Sequence, residues 1–245
     1  SMGQIVVAID TNAGLTGYGI GGGGVAAIHV IEQELRPLLV GADAAQVEDL
    51  WERQYRATLA YGRKGLAIMA ISGVDLALWD LRGKAAGLPV AQLLSSTPAT
   101  DAPAYFTVAM AGDDPVMGIE GALAEGYRVI KLGLGGFSLP VDADNLVQAV
   151  RQVRTRVGPD VALMADAAMA WSDHEAVLDL SRALAEFDLG WLEEPLPADD
   201  LDGYAWLSSR SPIPIAGGEH EYTARGFADL LARGCHQIYQ PDICW

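Results

Sequence analysis

Carboxylates stand where short apolar runs stop. Asp166 ends VALMAD, Glu193 and Glu194 end GWLEE, Glu219 follows PIAGG, and Asp242 follows IYQP. From Asp166 through Glu193 and Glu219 to Asp242 the steps are 27, 26 and 23 residues, each the length of one strand and one helix. In a parallel barrel all strand C-termini open onto one face, so these four side chains are expected to converge at one mouth. Carboxylates gathered in that way repel one another and resist desolvation unless a cation joins them. A hard divalent ion with oxygen ligands resolves the conflict, Mg²⁺ foremost. Each residue also has a plainer reading. Asp166 could cap the helix that follows, Glu219-His220-Glu221 could be a polar loop, and Asp242 could be a turn residue after Pro241. Strand alternation turns Glu193 and Glu194 to opposite sides, so one is the ligand and the other is structural or ion-paired.

The elements that must position these groups fall into two halves. Residues 4–10 and 15–20 read as strands joined by Thr11-Asn12-Ala13-Gly14, a hairpin signal. Helical patterns follow over 25–39, ending at Pro37, over 43–60 with Asp43 as N-cap, and over 66–86, stopped by Gly87-Leu88-Pro89. Residues 1–100 are thus expected to form an α+β domain, and 95–103 reads as a linker rich in Ser, Thr, Pro and Asp. From 101 to 245 the pattern becomes strictly alternating. Strands are expected at 104–110, 128–133, 161–166, 190–194, 213–217 and 236–240. Helices are expected near 114–125, 142–157, 173–187, 199–209 and 223–233. This is an α/β chain with six strand–helix units of a (β/α)8 TIM barrel, whose full form takes roughly 250 residues. The expected barrel is therefore incomplete, its C-terminal units missing. A doubly wound sheet is the rival, and it lacks a phosphate fingerprint. Gly17-Tyr18-Gly19-Ile20-Gly21-Gly22 fits G-x-G-x-x-G, but it closes a hairpin strand, and a flexible or tightly turning loop is expected beside Gly21 to Gly24.

Composition narrows the partners. The chain has 245 residues, 51% hydrophobic, with a net charge of −16. That is ample apolar material for a core. The charge sets the chain against nucleic acid. No apolar stretch is long enough to span a membrane, and SMGQIVVAID lacks the basic lead of a signal peptide. Two cysteines, Cys235 and Cys244, fit a reducing cytosol, so a cytoplasmic location is expected.

The stretches MADAAMAW (Met164–Trp171), WLEEPLP (Trp191–Pro197), GGEHEY (Gly217–Tyr222) and QPDICW (Gln240–Trp245) resemble the mandelate racemase/muconate lactonizing enzyme branch of the enolase superfamily. Gly62–Val90 is similar to its capping-domain helix. GEHE and QPDICW look most like the rhamnonate dehydratase group, which acts on acid sugars. The resemblance implies a partial capping domain over 1–100 and a barrel domain over 101–245. It also implies Asp166, Glu193 and Glu219 as Mg²⁺ ligands. Asp242 would orient a catalytic His expected beyond residue 245, because a carboxylate fixes the imidazole tautomer and stabilises the imidazolium.

In racemase-like members strand 2 carries Lys-x-Lys, whereas here Lys131-Leu132-Gly133 keeps only the first Lys. Racemisation through two bases is therefore doubtful, and Lys131 is expected to place positive charge near the substrate carboxylate, unless it is an ordinary strand-end charge. His220 could hydrogen-bond substrate or point away. The activity implied is Mg²⁺-dependent dehydration of an acid sugar, by α-proton abstraction, a stabilised enediolate and β-elimination of water to a 2-keto-3-deoxy acid. The alternatives are a racemase or cycloisomerase of the same superfamily, or a catalytically incomplete metal or sugar-acid binding fragment. The partners implied are a small-molecule acid sugar and further copies of the chain in a homo-oligomer.

Overall fold

A computed structural model describes residues 3–110, 115–135 and 143–245. The chain divides into two compact units. One comprises Ser1–Ala102, Glu219–Ala224 and Pro241–Trp245, and the other Pro103–Gly218 and Arg225–Gln240.

In the first unit, β1 (Ile5–Asp10) and β2 (Thr16–Gly21) pair antiparallel, with Ile5 opposite Gly21 and Asp10 opposite Thr16. Next comes α1 (Gly24–Val30), which runs through a π turn (Ile31–Leu35) into α2 (Arg36–Leu39). The helix expected to end at Pro37 therefore widens there, and Pro37 sits in the first turn of α2, where its missing N–H is tolerated. Helix α3 (Val47–Thr58) starts later than its pattern suggested, with Gln46 at the N-cap. Asp43 does not cap it; its Oδ1 accepts from the Ala45 N–H at 3.0 Å in a turn ahead of the helix. Helix α4 (Leu66–Ala86) ends as expected at left-handed Gly87, and α5 (Val90–Leu94) follows Pro89 inside the segment taken as leading to the linker.

The glycines of β2 explain how α4 is held. A Cβ at Gly17, Gly19 or Gly21 would come closer than 3.0 Å to the carbonyl oxygens of Ala77, Gly73 and Met69 respectively. Two strand residues advance about 6.8 Å and four helix residues about 6 Å, so the two repeats run nearly in step. The helix backbone lies directly on the strand, which only glycine permits. The glycines of the G-x-G-x-x-G match at 17, 19 and 21 thus serve close packing, while the turn expected beside Gly21 to Gly24 lies at Gly23 and Gly24, with φ of 87° and 54°. Opposite these glycines Ile5 and Val7 are buried against Val74, Ala77 and Leu78.

The second unit is a six-stranded parallel sheet in the order β3 (Phe106–Ala109), β4 (Val129–Gly133), β5 (Ala162–Asp166), β6 (Leu189–Glu193), β7 (Ile215–Gly217) and β8 (Ile238–Tyr239). The helices of this half are α6 (Pro115–Ala124), α7 (Ala143–Val157), α8 (His174–Leu184), α9 (Leu201–Ser208) and α10 (Thr223–Arg233), the last belonging to this unit from Arg225 onwards. Ile130, Leu132, Leu163, Leu192 and Ile215 are fully buried in its core. Asp173 caps α8, accepting from the N–H groups of Glu175 and Ala176, so Asp166 is released from that role. Among the described residues no helix is long and apolar enough to cross a membrane.

His236, ahead of β8, is 8% exposed and packs edge-on to Tyr204 and Tyr239. Burial pushes its imidazole down from 6.5 to about 4, against the opposing pull of the Glu194 charge. The folded form is therefore neutral where an unfolded chain is protonated. Its contribution to stability is complete above pH 6.5 and is lost as pH falls towards 4. The urea midpoint is expected to drop across that window and to drop less in His236→Phe; equal slopes would assign the acid sensitivity to other groups. For the β2–α4 contact, Gly19→Ala is expected to cost on the order of 1–3 kcal/mol in urea unfolding. Gly121→Ala, on an exposed face of α6 with open space around the new methyl, should gain about 0.5–1 kcal/mol.

Candidate metal centre and active site

Register builds the centre. Gly133, Asp166 and Glu193 are the last residues of β4, β5 and β6, and they lie in one row, Gly133 beside Asp166 and Asp166 beside Glu193. Residues aligned across a parallel sheet point the same way, as do residues two apart on one strand. Lys131 therefore shares a face with Gly133 and reaches both acids. Its Nζ lies 2.7 Å from Glu193 Oε1 and 3.0 Å from Asp166 Oδ2.

Glu193 is 1% exposed and Lys131 7%. Burial disfavours the Lys131 ammonium, but hydrogen bonds and attraction from Glu193 and Asp166 outweigh it and hold its pKa above the ordinary lysine value. The second oxygen of Glu193 accepts from Trp191 Nε1 at 2.9 Å. A register shift between Leu163 and Ala165 marks an irregularity in the β5–β6 pairing, and Trp191 stands two residues before Glu193, on the same face. Tyr105 closes the group, its ring centroid 5.4 Å from Lys131 Nζ and 5.9 Å from the Trp191 ring.

Just beyond the strand ends the backbone is strained. Ala168, Met169 and Glu194 have φ of 46°, 61° and 39°, a region costly for residues with a side chain and concentrated at functional sites. The Met169 N–H donates to the Glu194 carbonyl at 2.7 Å, and the Ala167 N–H to that of Glu193 at 2.9 Å, so pairing continues past the strands. The Asp166 side chain also accepts from the Ala168 N–H at 3.0 Å, which fixes its rotamer. Glu194 is 3% exposed; its Cγ lies close to where a side chain on Gly217 would begin, with His236 alongside.

Glu219, His220 and Asp242 belong to the first unit. Glu219 stands two residues past β7, with Oε1 3.9 Å from His220 Nδ1. The His220 ring lies edge-on to Trp245, centroids 5.0 Å apart. Asp242 Oδ1 accepts from the Cys244 N–H at 2.7 Å, the turn geometry that its position after Pro241 allowed. Of the other histidines, His174 packs on Trp206 at 4.5 Å and His29 is exposed on α1.

Tyr105 and Lys64 escaped the sequence reading, Trp191 entered it only within a motif, and Glu221 only as part of a polar loop. The i, i+2 spacing of Trp191 and Glu193 was the one local signal available. The Lys131–Glu193 and Lys64–Glu221 pairs join residues 62 and 157 positions apart, which no periodicity reveals.

Residues 2–95 match the mandelate racemase/muconate lactonizing enzyme N-terminal domain, and 118–245 match the enolase C-terminal domain-like model. The chain is 37% identical to L-rhamnonate dehydratase of Saccharopolyspora erythraea, over 100% of this chain and 61% of that protein. It is 34% identical to arabinonate dehydratase of Saccharolobus solfataricus, over 98% of this chain and 65% of that one. It spans less than two thirds of the length of these two relatives. A racemase from Streptomyces coelicolor, solved with bound magnesium, superposes with a TM-score of 0.92 at 35% identity, over 98% of this chain and 68% of that one. With both domain models matched, the six parallel strands are part of an enolase-type barrel, and the chain belongs to the mandelate racemase/muconate lactonizing enzyme family of the enolase superfamily.

Proposed function

We propose that the protein acts as a Mg²⁺-dependent hydro-lyase on an acid sugar of the rhamnonate or arabinonate type. The observation that carries this reading is the row of Gly133, Asp166 and Glu193 at the strand ends, with the buried Lys131 ammonium set against its two acids. The similarity to two acid-sugar dehydratases supports the substrate class.

The donor set fits a divalent ion. Asp166 and Glu193 offer hard carboxylate oxygens that already converge on one cationic atom, and two negative charges against one leave a deficit that a divalent cation meets. Asp166, Glu193 and Glu219, following β5, β6 and β7 in turn, would hold it. Bound there, Mg²⁺ supplies positive charge beside the substrate carboxylate, where negative charge develops as the α-proton leaves.

Lys131 adds a fixed ammonium for the same carboxylate, in a dry setting that strengthens the attraction. Trp191 and the Asp166–Ala168 hydrogen bond keep the acids from rotating away. The α C–H electrons move towards the carboxylate, the proton passes to a base, and the β C–O bond breaks, releasing the hydroxyl as water once it takes a proton. The enol product then tautomerises to the 2-keto-3-deoxy acid. The base would be a His partnered by Asp242 and lying beyond residue 245. His220, adjoining Glu219, would serve as a hydrogen-bonding group for the substrate. Racemisation through a second base on β4 is disfavoured, because Gly133 brings no side chain beside Asp166.

In the full-length protein, semicarbazide assay over a panel of C5 and C6 aldonic acids is expected to detect a 2-keto-3-deoxy product. EDTA should suppress it and Mg²⁺ restore it; exchange of the α-proton for deuterium without loss of water would favour the racemase reading. Glu193→Gln should abolish tight Mg²⁺ binding in calorimetry, whereas Glu194→Gln should change it far less; the reverse order would mean that the ligand is Glu194. Lys131→Met should leave Mg²⁺ affinity unchanged or raised, since a competing cation is gone. The same variant should raise KM for the acid sugar roughly 10- to 100-fold, the usual worth of a hydrogen bond to a charged group.

A further inference from the structure

The loop that follows β7 has an anchor that the proposed chemistry does not use. Glu221 has a side chain only 7% exposed, and a carboxylate at that depth needs partners. It has two. Its Oε2 lies 2.5 Å from Lys64 Nζ, and its Oε1 accepts from the Tyr222 N–H at 2.7 Å. Lys64 stands in the short segment between α3 and α4, next to Gly65, whose φ of 70° turns the chain into α4. Tyr222 is buried in the core of the same unit, among Ile68, Ile71 and their neighbours.

The other outlying segment of this unit is fastened in the same way. The Gly22 N–H donates to the Cys244 carbonyl at 3.2 Å, and Ser72 Oγ to the Trp245 carbonyl at 3.1 Å. Trp245 in turn presents its ring to His220. Residues 219–222 are therefore gripped at two points just after Glu219, by an aromatic contact at His220 and an ion pair at Glu221.

We propose that Lys64 is a positioning residue: through its ion pair with Glu221 it fixes the loop that carries Glu219 and His220, and so sets the geometry with which Glu219 meets the metal. This rests on the reading of Glu219 as a ligand. The energetic asymmetry of the pair makes it testable. The lysine end is 60% exposed and the glutamate end is not. Removing Lys64 alone strands a buried charge, while removing both charges does not.

The test uses the full-length protein, with calorimetric Mg²⁺ titration and amide hydrogen exchange over residues 219–224. Lys64→Met is expected to weaken Mg²⁺ binding about 10-fold, in line with other groups that orient a metal ligand, and to speed exchange in that segment. Lys64→Arg should restore both, and the double variant Lys64→Met/Glu221→Gln should bind Mg²⁺ more tightly than Lys64→Met alone. Unchanged exchange and unchanged affinity in Lys64→Met would overturn the proposal. Faster exchange with unchanged Mg²⁺ affinity would overturn it too, and Glu219→Gln then says which part failed. If Glu219→Gln abolishes Mg²⁺ binding, the metal reading stands and the positioning role fails. If Glu219→Gln also binds Mg²⁺ normally, the ligand assignment itself has failed.

Discussion

Two carboxylates held side by side at the ends of adjacent strands make the demand that the rest of the second unit meets. Neighbouring strands lie about 4.8 Å apart, and at that distance two full charges repel by about 3 kcal/mol at an effective dielectric of 20. Asp166 and Glu193 accept that arrangement because Lys131 sets two attractions, at 2.7 and 3.0 Å, against the one repulsion. The lysine can do so only from the same face one step down β4, which register guarantees. Trp191 then donates to the second oxygen of Glu193, and the Tyr105 ring lies 5.4 Å from the ammonium.

Much of this was legible because it is local and periodic. The ends of α4, the six strands and the acids that terminate them follow from apolar alternation and from Gly-Leu-Pro punctuation. What was not legible depends on contacts distant in sequence or on the backbone. Nothing in the run around Gly17 to Gly22 says that a helix backbone will lie on it. A turning loop and a close-packed strand use glycine for different reasons, yet they look alike in one sequence. Asp43 and Asp166 both had the composition of a helix cap; Asp173, nearer to α8, took the second of those roles. Trp191 stood in plain view in WLEE, but its donation to Glu193 emerges only once the strand is built.

The first unit illustrates how non-local the assembly is. Its core includes Ile5 on β1, Leu78 on α4 and Tyr222 from the loop after β7. Ile5 lies 73 residues before Leu78, and Tyr222 lies 144 residues after it, so distant pieces of chain must meet before that core is complete. Such contacts carry a large loop-closure cost and form late. The residues that pin them, Lys64, Ser72 and Gly22, are polar or lack a side chain, so a search for core residues passes over them.

The row at the strand ends is also asymmetric, and the asymmetry bears on the proposed reaction. Lys131 brings an ammonium and Gly133 brings nothing, so β4 supplies charge but no second proton-transfer group. If one base both takes the α-proton and returns a proton to the departing hydroxyl, both must lie within its reach. That restricts the substrate to a conformer in which the α C–H and β C–O bonds project to the same side. The proposed elimination would then be syn, and of two sugar acids differing only at the β-carbon, the one that presents its hydroxyl to that side with its carboxylate held by the metal and Lys131 would be the one dehydrated.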